Sequence, residues 1–143
     1  MSTLPEFRQL PVGQSRALLR RHRVGRIAFT FRDRVDIEPI SYVPSGNWLY
    51  ARTAPGTKLR QLRHNPWVAF EVDEVEGPFD WKSVVVHGTA YFVTPGTAEY
   101  ARALRTIRRL DPRILTSDDP VPERTVLYRI HIHEITGRAA SSV

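Results

Sequence analysis

Six runs of β-branched and aromatic residues, each bounded by turn-formers, constrain this chain most: RIAFTF (26–31), VDIEPISYV (35–43), WLYART (48–53), WVAFEVD (67–73), WKSVVVHGTAYFV (81–93) and TVLYRIHIHEI (125–135). Runs of this length and composition read as strands. Short turns such as Arg32-Asp33-Arg34 and Pro44-Ser45-Gly46-Asn47 join several of them, which favours antiparallel neighbours. Pro39 lies inside the second run and cannot donate to a ladder, so that strand is expected at an edge, irregular, or open to a ligand. Gly88 interrupts the fifth run and predicts a bulge or bend. About six sequential strands leave exposed edges unless the sheet curls. A small closed or half-closed β-barrel is therefore the expected architecture.

Three short helices punctuate the strands. Ser15 is expected to cap SRALLRRH (15–22), with Leu18 and Leu19 inward and Gly25 ending the segment. A second helix is expected over 57–64, stopped by Asn65-Pro66. Thr94-Pro95 opens a third that runs to about Leu110. Residues 74–80 (EVEGPFD) and 111–124 read as loops, and 139–143 (AASSV) as a loose tail. The class is mainly β with short helices (α+β). The 143 residues suffice for a single domain, 1–143, that buries roughly 68–70% of its unfolded surface.

The chain has no cysteine, which excludes disulfides, thiolate metal sites and cysteine nucleophiles and suits a reducing cytoplasm. The first residues, MSTLPEFRQLPVGQ, lack the apolar core of a signal peptide. No run approaches the roughly 18 apolar residues of a membrane span. A cytoplasmic location is the expectation. Twenty-one Lys and Arg against 15 Asp and Glu give a formal net charge of +6, which favours anionic partners.

The most informative stretch is ARTAPGTKLRQLRHNP (51–66), where a strand turns sharply into a helix. A helix start carries unpaired N–H groups and partial positive charge, and so attracts anions. Gly56 permits close approach of the backbone, Thr57 adds a hydroxyl, Lys58 adds a charge, and Arg52 offers a fork of donors. The alternative is that Thr57 caps the helix and Lys58 is a solvated surface charge. Strand alternation puts Arg52 and Thr53 on opposite faces, so one of the two is expected at the cleft. His131 and His133 share a strand face but have no carboxylate companion, so no metal site is expected. The carboxylates of FEVDEVE (70–76) and the arginines of RRHR (20–23) and RTIRR (105–109) read as solvated faces. No nucleophile motif, P-loop or dinucleotide fingerprint is present, and no acid–base pair marks a catalytic residue.

Together GRIAF (25–29), EPISYV (38–43), ARTAPGTKLRQLRHNP, WKSVVVHGTAYFV and EITGR (134–138) resemble the pyridoxamine 5'-phosphate oxidase-like flavin-binding split-barrel family. The likeness is to its small actinobacterial and nitroimidazole-resistance-like members and spans residues 15 to 138. It implies a six-stranded antiparallel split β-barrel that forms a homodimer with an FMN in each interfacial cleft. Glu38, Pro39, Ile40 and Ser41 would lie along the isoalloxazine, and Ala51, Arg52 and Thr53 along the phosphoribityl chain. Thr57 and Lys58 would hold the phosphate, while Trp81 and Ser83 would come from the partner subunit. The implied activity is an FMN-dependent oxidoreductase acting on a small electron-poor substrate. The alternatives are an F420-dependent reductase, and a non-catalytic flavin or haem binder with His87 or His64 as haem contact. Nucleic acid ranks last among partners and no membrane is expected. Gly56-Thr57-Lys58 stands where the true oxidases have Ser-Arg-Lys, and the chain ends in GRAASSV instead of a basic segment. Both departures argue against pyridoxamine phosphate oxidation and leave Arg52 as the substitute arginine.

Overall fold

Alternation along the runs sorts side chains into an interior and an exterior face, and the sheet curls around the interior one. In the computed structural model, which describes residues 4–142, the order begins β1 (Glu6–Leu10), α1 (Val12–Arg21), β2 (Val24–Phe31) and β3 (Arg34–Ser41). It continues with β4 (Val43–Ser45), β5 (Trp48–Thr53), α2 (Thr57–His64), β6 (Trp67–Gly77), β7 (Asp80–Phe92), α3 (Ala98–Ile107) and β8 (Val126–Ser141). The strands form one sheet in the order β3-β2-β6-β7-β8-β5-β4, with β1 added along β8, and every pairing is antiparallel.

Mainly antiparallel β structure with short helices is what the sequence leads one to expect, but the described residues hold eight strands instead of six. β1 and β4 are the additions. The segment from residue 139 is also not a loose tail. β8 runs through Ser141, and Ala139 and Ala140 are buried between β1 and β7. Val143 lies outside the described residues. Residues 74–77 extend β6 instead of opening a loop, leaving a tight turn before Asp80.

The helix starts differ too. α1 begins at Val12 behind Pro11, so Ser15 is a buried residue within it and caps nothing; Gly25 belongs to β2. α3 begins after Thr97, whose hydroxyl accepts from the Tyr100 amide at 3.2 Å. Thr94-Pro95 therefore precedes the helix instead of opening it. α2 matches its expected bounds.

The interior is filled by Ile27, Phe70, Leu49, Ile130 and Tyr128, all 0% exposed, with Leu18 and Leu19 of α1 closing one end. A second cluster, including Ile107, Leu127 and Val43, seats α3 against β5 and β8. Pro39 lies on an edge strand, as its missing N–H requires. The bulge expected at Gly88 is present: the β7–β8 register shifts between His87 and Gly88. No helix among the described residues is long and apolar enough to cross a membrane.

Backbone proximity explains Gly88. A Cβ there would lie 2.1 Å from the His131 carbonyl oxygen, whereas one at Gly13 in α1 would meet nothing within 4 Å. Gly88→Ala should therefore destabilise the fold by about 1–3 kcal/mol, as over-packing does. Gly13→Ala should be neutral or stabilising by up to about 1 kcal/mol. Urea unfolding of the two variants checks the contrast.

Candidate functional site

Edge strand β3 and the end of β5 are not hydrogen-bonded to each other, and the barrel is split between them. A cavity of about 550 Å³ occupies the split, within the range of small-molecule and cofactor sites. One wall is Glu38–Ser41 of β3. The floor is Arg52, Thr53 and the turn Ala54-Pro55-Gly56, leading into Thr57 and Lys58. The far wall comes from the segment after α3, through Leu110, Asp111, Ile114, Val121 and Arg124.

Eight of the eleven residues expected at the cofactor border this cavity: Glu38, Pro39, Ile40, Ser41, Arg52, Thr53, Thr57 and Lys58. Ala51 does not; it is 2% exposed and packed into the barrel core. Trp81 and Ser83 lie elsewhere on β7. Trp81 packs near Phe7, with ring centroids 6.4 Å apart, and the Ser83 hydroxyl donates to Glu71 at 2.9 Å. Arg52 and Thr53 both border the cavity, against the expectation that alternation would present only one. The strand ends at Thr53, where the chain turns into the floor.

The turn is built for close approach. Gly56 has φ +154°, a region a side chain rarely adopts, and an added Cβ there would face open space. No side chain caps α2 and its first turn has no acidic residue. Thr57 is thus not a cap: Gly56 holds that position and Thr57 is the first residue of the helix. The uncapped helix start keeps its positive end beside the cavity. Lys58 is not a solvated charge either, being 16% exposed and ion-paired with Glu38 across the cavity. Its ammonium also lies 6.0 Å from the Tyr128 ring centroid. The Tyr128 hydroxyl is fully buried, with no partner among the described residues. Burial chiefly, and then the charge of Glu38, push its pKa upward.

Arg52 is engaged by a partner that sequence reasoning missed. Its terminal nitrogens donate to the two Asp119 carboxylate oxygens at 2.6 and 2.9 Å. Asp119 also accepts from the Leu115 and Val121 amides at 2.7 and 3.0 Å, and its side chain is 1% exposed. The clasp anchors the far wall to the floor. Only the Asp- and Pro-rich composition of 111–124 was visible in the sequence, and nothing there pointed 67 residues back to Arg52.

The remaining candidates lie apart. His131 packs edge-on against Trp48 and His133 lies tilted against Trp67 on the sheet, and the described residues include no group of three or more potential metal ligands. His64 packs against Phe31, and His87 is exposed opposite Glu134; neither borders the cavity. The carboxylates of 70–76 are on β6; Glu76 is exposed as expected, whereas Glu71, Asp73 and Glu74 are half-buried. Glu71, raised by burial and by neighbouring Asp73, sits between Arg26 and Ser83. Glu74 is held down at about 2 by hydrogen bonds from Arg21 and then His22.

Comparison with known proteins gives concordant matches. The family described as pyridoxamine 5'-phosphate oxidase matches residues 11–139. An uncharacterised protein of Rhizobium meliloti is 33% identical over 131 residues, 82% of this chain and 84% of that one. A crystal structure of an FAD-binding protein from Mesorhizobium loti superposes with a TM-score of 0.81 at 28% identity, covering 95% of this chain and 99% of that one. The FAD-binding protein from Mycobacterium smegmatis gives 0.69 at 29% identity, covering 93% and 98%.

The Asp119 clasp has a pH signature. Hydrogen bonds from Arg52, and then from the Leu115 and Val121 amides, hold the carboxylate well below its ordinary range. A depressed folded-state pKa adds stability that is complete above the unfolded value, about 3.9, and fades as pH falls below it. Thermal melting from pH 7 to pH 2 should therefore decline less steeply below about pH 4 in Asp119→Asn than in the wild type.

Proposed function

The chain belongs to the pyridoxamine 5'-phosphate oxidase family, and on that premise we propose that it binds a flavin nucleotide in the split between β3 and β5, with the phosphate on the turn at 56–58. The observation that carries this reading is the uncapped start of α2 bordering a cofactor-sized cavity, with Thr57 and Lys58 beside it. A phosphate suits that donor set: backbone N–H groups, a hydroxyl and an ammonium. The two similar FAD-binding proteins support a flavin. FMN is favoured here because the cavity has one such helix start.

Each residue then has a physical task. Lys58, paired with Glu38 here, would hold the phosphate with its ammonium. β3, with one edge unpaired, would offer backbone groups of Glu38–Ser41 to a bound ring. Pro39 presents no N–H there, and Ile40 supplies apolar surface. Arg52, held by Asp119, keeps the far wall in place. The bound flavin would supply electron transfer, while the protein supplies binding, orientation and electrostatics. The reaction class we propose is oxidoreduction of a small electron-poor substrate, not oxidation of pyridoxamine phosphate.

Homodimerisation completes this reading. Phe7, Val24, Val35, Ile37, Trp67 and Val75 are each more than half exposed and share the sheet's outer face, opposite Phe70, Val72, Val84 and Val86. An apolar face of this extent marks an interaction surface. Trp81 and Ser83 belong to the same face, so a second copy seated on it takes both into the interface. A dimer of this kind should be obligate and bury at least about 2,000 Å². Ile37→Glu should give a monomer that no longer retains flavin in sedimentation runs; a monomer with full flavin affinity contradicts the shared cleft.

The cofactor itself is read directly. Purified protein should be yellow and release FMN on denaturation, identified by mass; release of F420, FAD or haem would overturn the FMN assignment. Lys58→Ala should weaken FMN by roughly 10- to 150-fold, the worth of one charge-assisted hydrogen bond, and leave riboflavin unchanged. Equal losses for the two flavins would refute the phosphate cradle.

A further inference from the structure

Three cations border the cavity, and they are not equivalent. Arg52 is clasped in bidentate fashion by Asp119, and Lys58 is paired with Glu38. Of the cavity carboxylates, Asp111 is taken up by Arg113 outside the site, at 2.7 Å. Arg124 alone among the cavity cations forms no ion pair with any described residue, and its side chain is exposed.

Its position is fixed by the backbone. The Arg124 amide donates to the Val121 carbonyl at 3.1 Å, and its own carbonyl accepts from the Arg52 guanidinium at 3.3 Å. In the ladder that follows, Val126 stands opposite Thr53 and Leu127 opposite Arg52. Two residues before Val126, Arg124 therefore flanks the chain just after Thr53, where Ala54-Pro55-Gly56 leads into α2. The guanidinium that Asp119 clasps also donates to the Arg124 carbonyl, and so ties the Arg124 backbone to the end of β5.

We propose that Arg124 is the arginine of the anion site, donating to the phosphate of the bound flavin from the far wall while Arg52 serves only to position that wall. The proposal rests on the phosphate-cradle reading given above and assigns to it a residue 66 positions from Lys58 in the chain. A guanidinium supplies two parallel donors to a phosphate, which neither the ammonium of Lys58 nor the hydroxyl of Thr57 can do.

FMN and riboflavin titrations of the wild type, Arg124→Ala, Arg124→Lys and Lys58→Ala test it, with thermal melting as the control for folding. Arg124→Ala should bind FMN about tenfold more weakly, bind riboflavin as the wild type does, and melt at the wild-type temperature. Arg124→Lys, which keeps the charge but loses the fork, should fall between. Unchanged FMN affinity in Arg124→Ala, or equal loss for both flavins, overturns the proposal. If Lys58→Ala alone discriminates between the flavins, the cradle stands and Arg124 is excluded from it. If only Arg124→Ala discriminates, Arg124 holds the phosphate and the turn at 56–58 does not.

Discussion

β8 pairs along one side with β7 for nearly its whole length, and its other side is divided between β5 near the start and β1 near the end. Sixteen residues thereby organise three neighbouring strands, and the ladder fixes where β5 stops. The end of β5 determines where the turn at 54–56 falls, and the turn determines where α2 presents its first amides. The same ladder begins two residues after Arg124, so both sides of the cavity floor are referenced to one register. A slip of one residue would send every β8 side chain to the opposite face, taking Tyr128 and Ile130 out of the core and displacing the cavity walls together.

Splitting the barrel produces the site. Closing β3 onto β5 would satisfy two strand edges and remove the cavity. Between them lie Pro39, which has no N–H to give a ladder, and the ion pair of Glu38 with Lys58 at the start of α2. An unpaired strand edge invites unwanted pairing; here it borders the cavity, faced by the start of α2 and by residues of the segment after α3. The split leaves a cavity that mixes apolar lining, such as Ile40 and Ile114, with the cations of Arg52, Lys58 and Arg124.

Much of this was legible in the residues. Alternation placed the strands, Pro39 marked an edge, Gly88 marked a bulge, and Gly56-Thr57-Lys58 marked a strand-to-helix turn beside a cavity. What escaped sequence reading has physical reasons. β1 is short and mostly exposed, and the end of β8 is built from Gly137, Ala139 and Ala140, residues of low intrinsic strand preference that are strand here through packing. Ser15 has the chemistry of a helix cap, yet Pro11 starts the helix earlier and tertiary packing buries the hydroxyl. Asp119 and Arg124 sit in a segment whose composition says only loop. Both are tied back to Arg52, 67 and 72 residues away, by contacts that no local pattern encodes.

The central claim is that the start of α2 is where this protein holds the phosphate of its cofactor. A crystal structure of the protein saturated with FMN tests it most directly. The account predicts phosphate oxygens within hydrogen-bond distance, about 2.7–3.2 Å, of the first amides of α2, with the ring along Glu38–Ser41. A phosphate bound anywhere else, such as the depression between Arg16 and Arg20 of α1, or a ring lying outside the β3–β5 split, would contradict it.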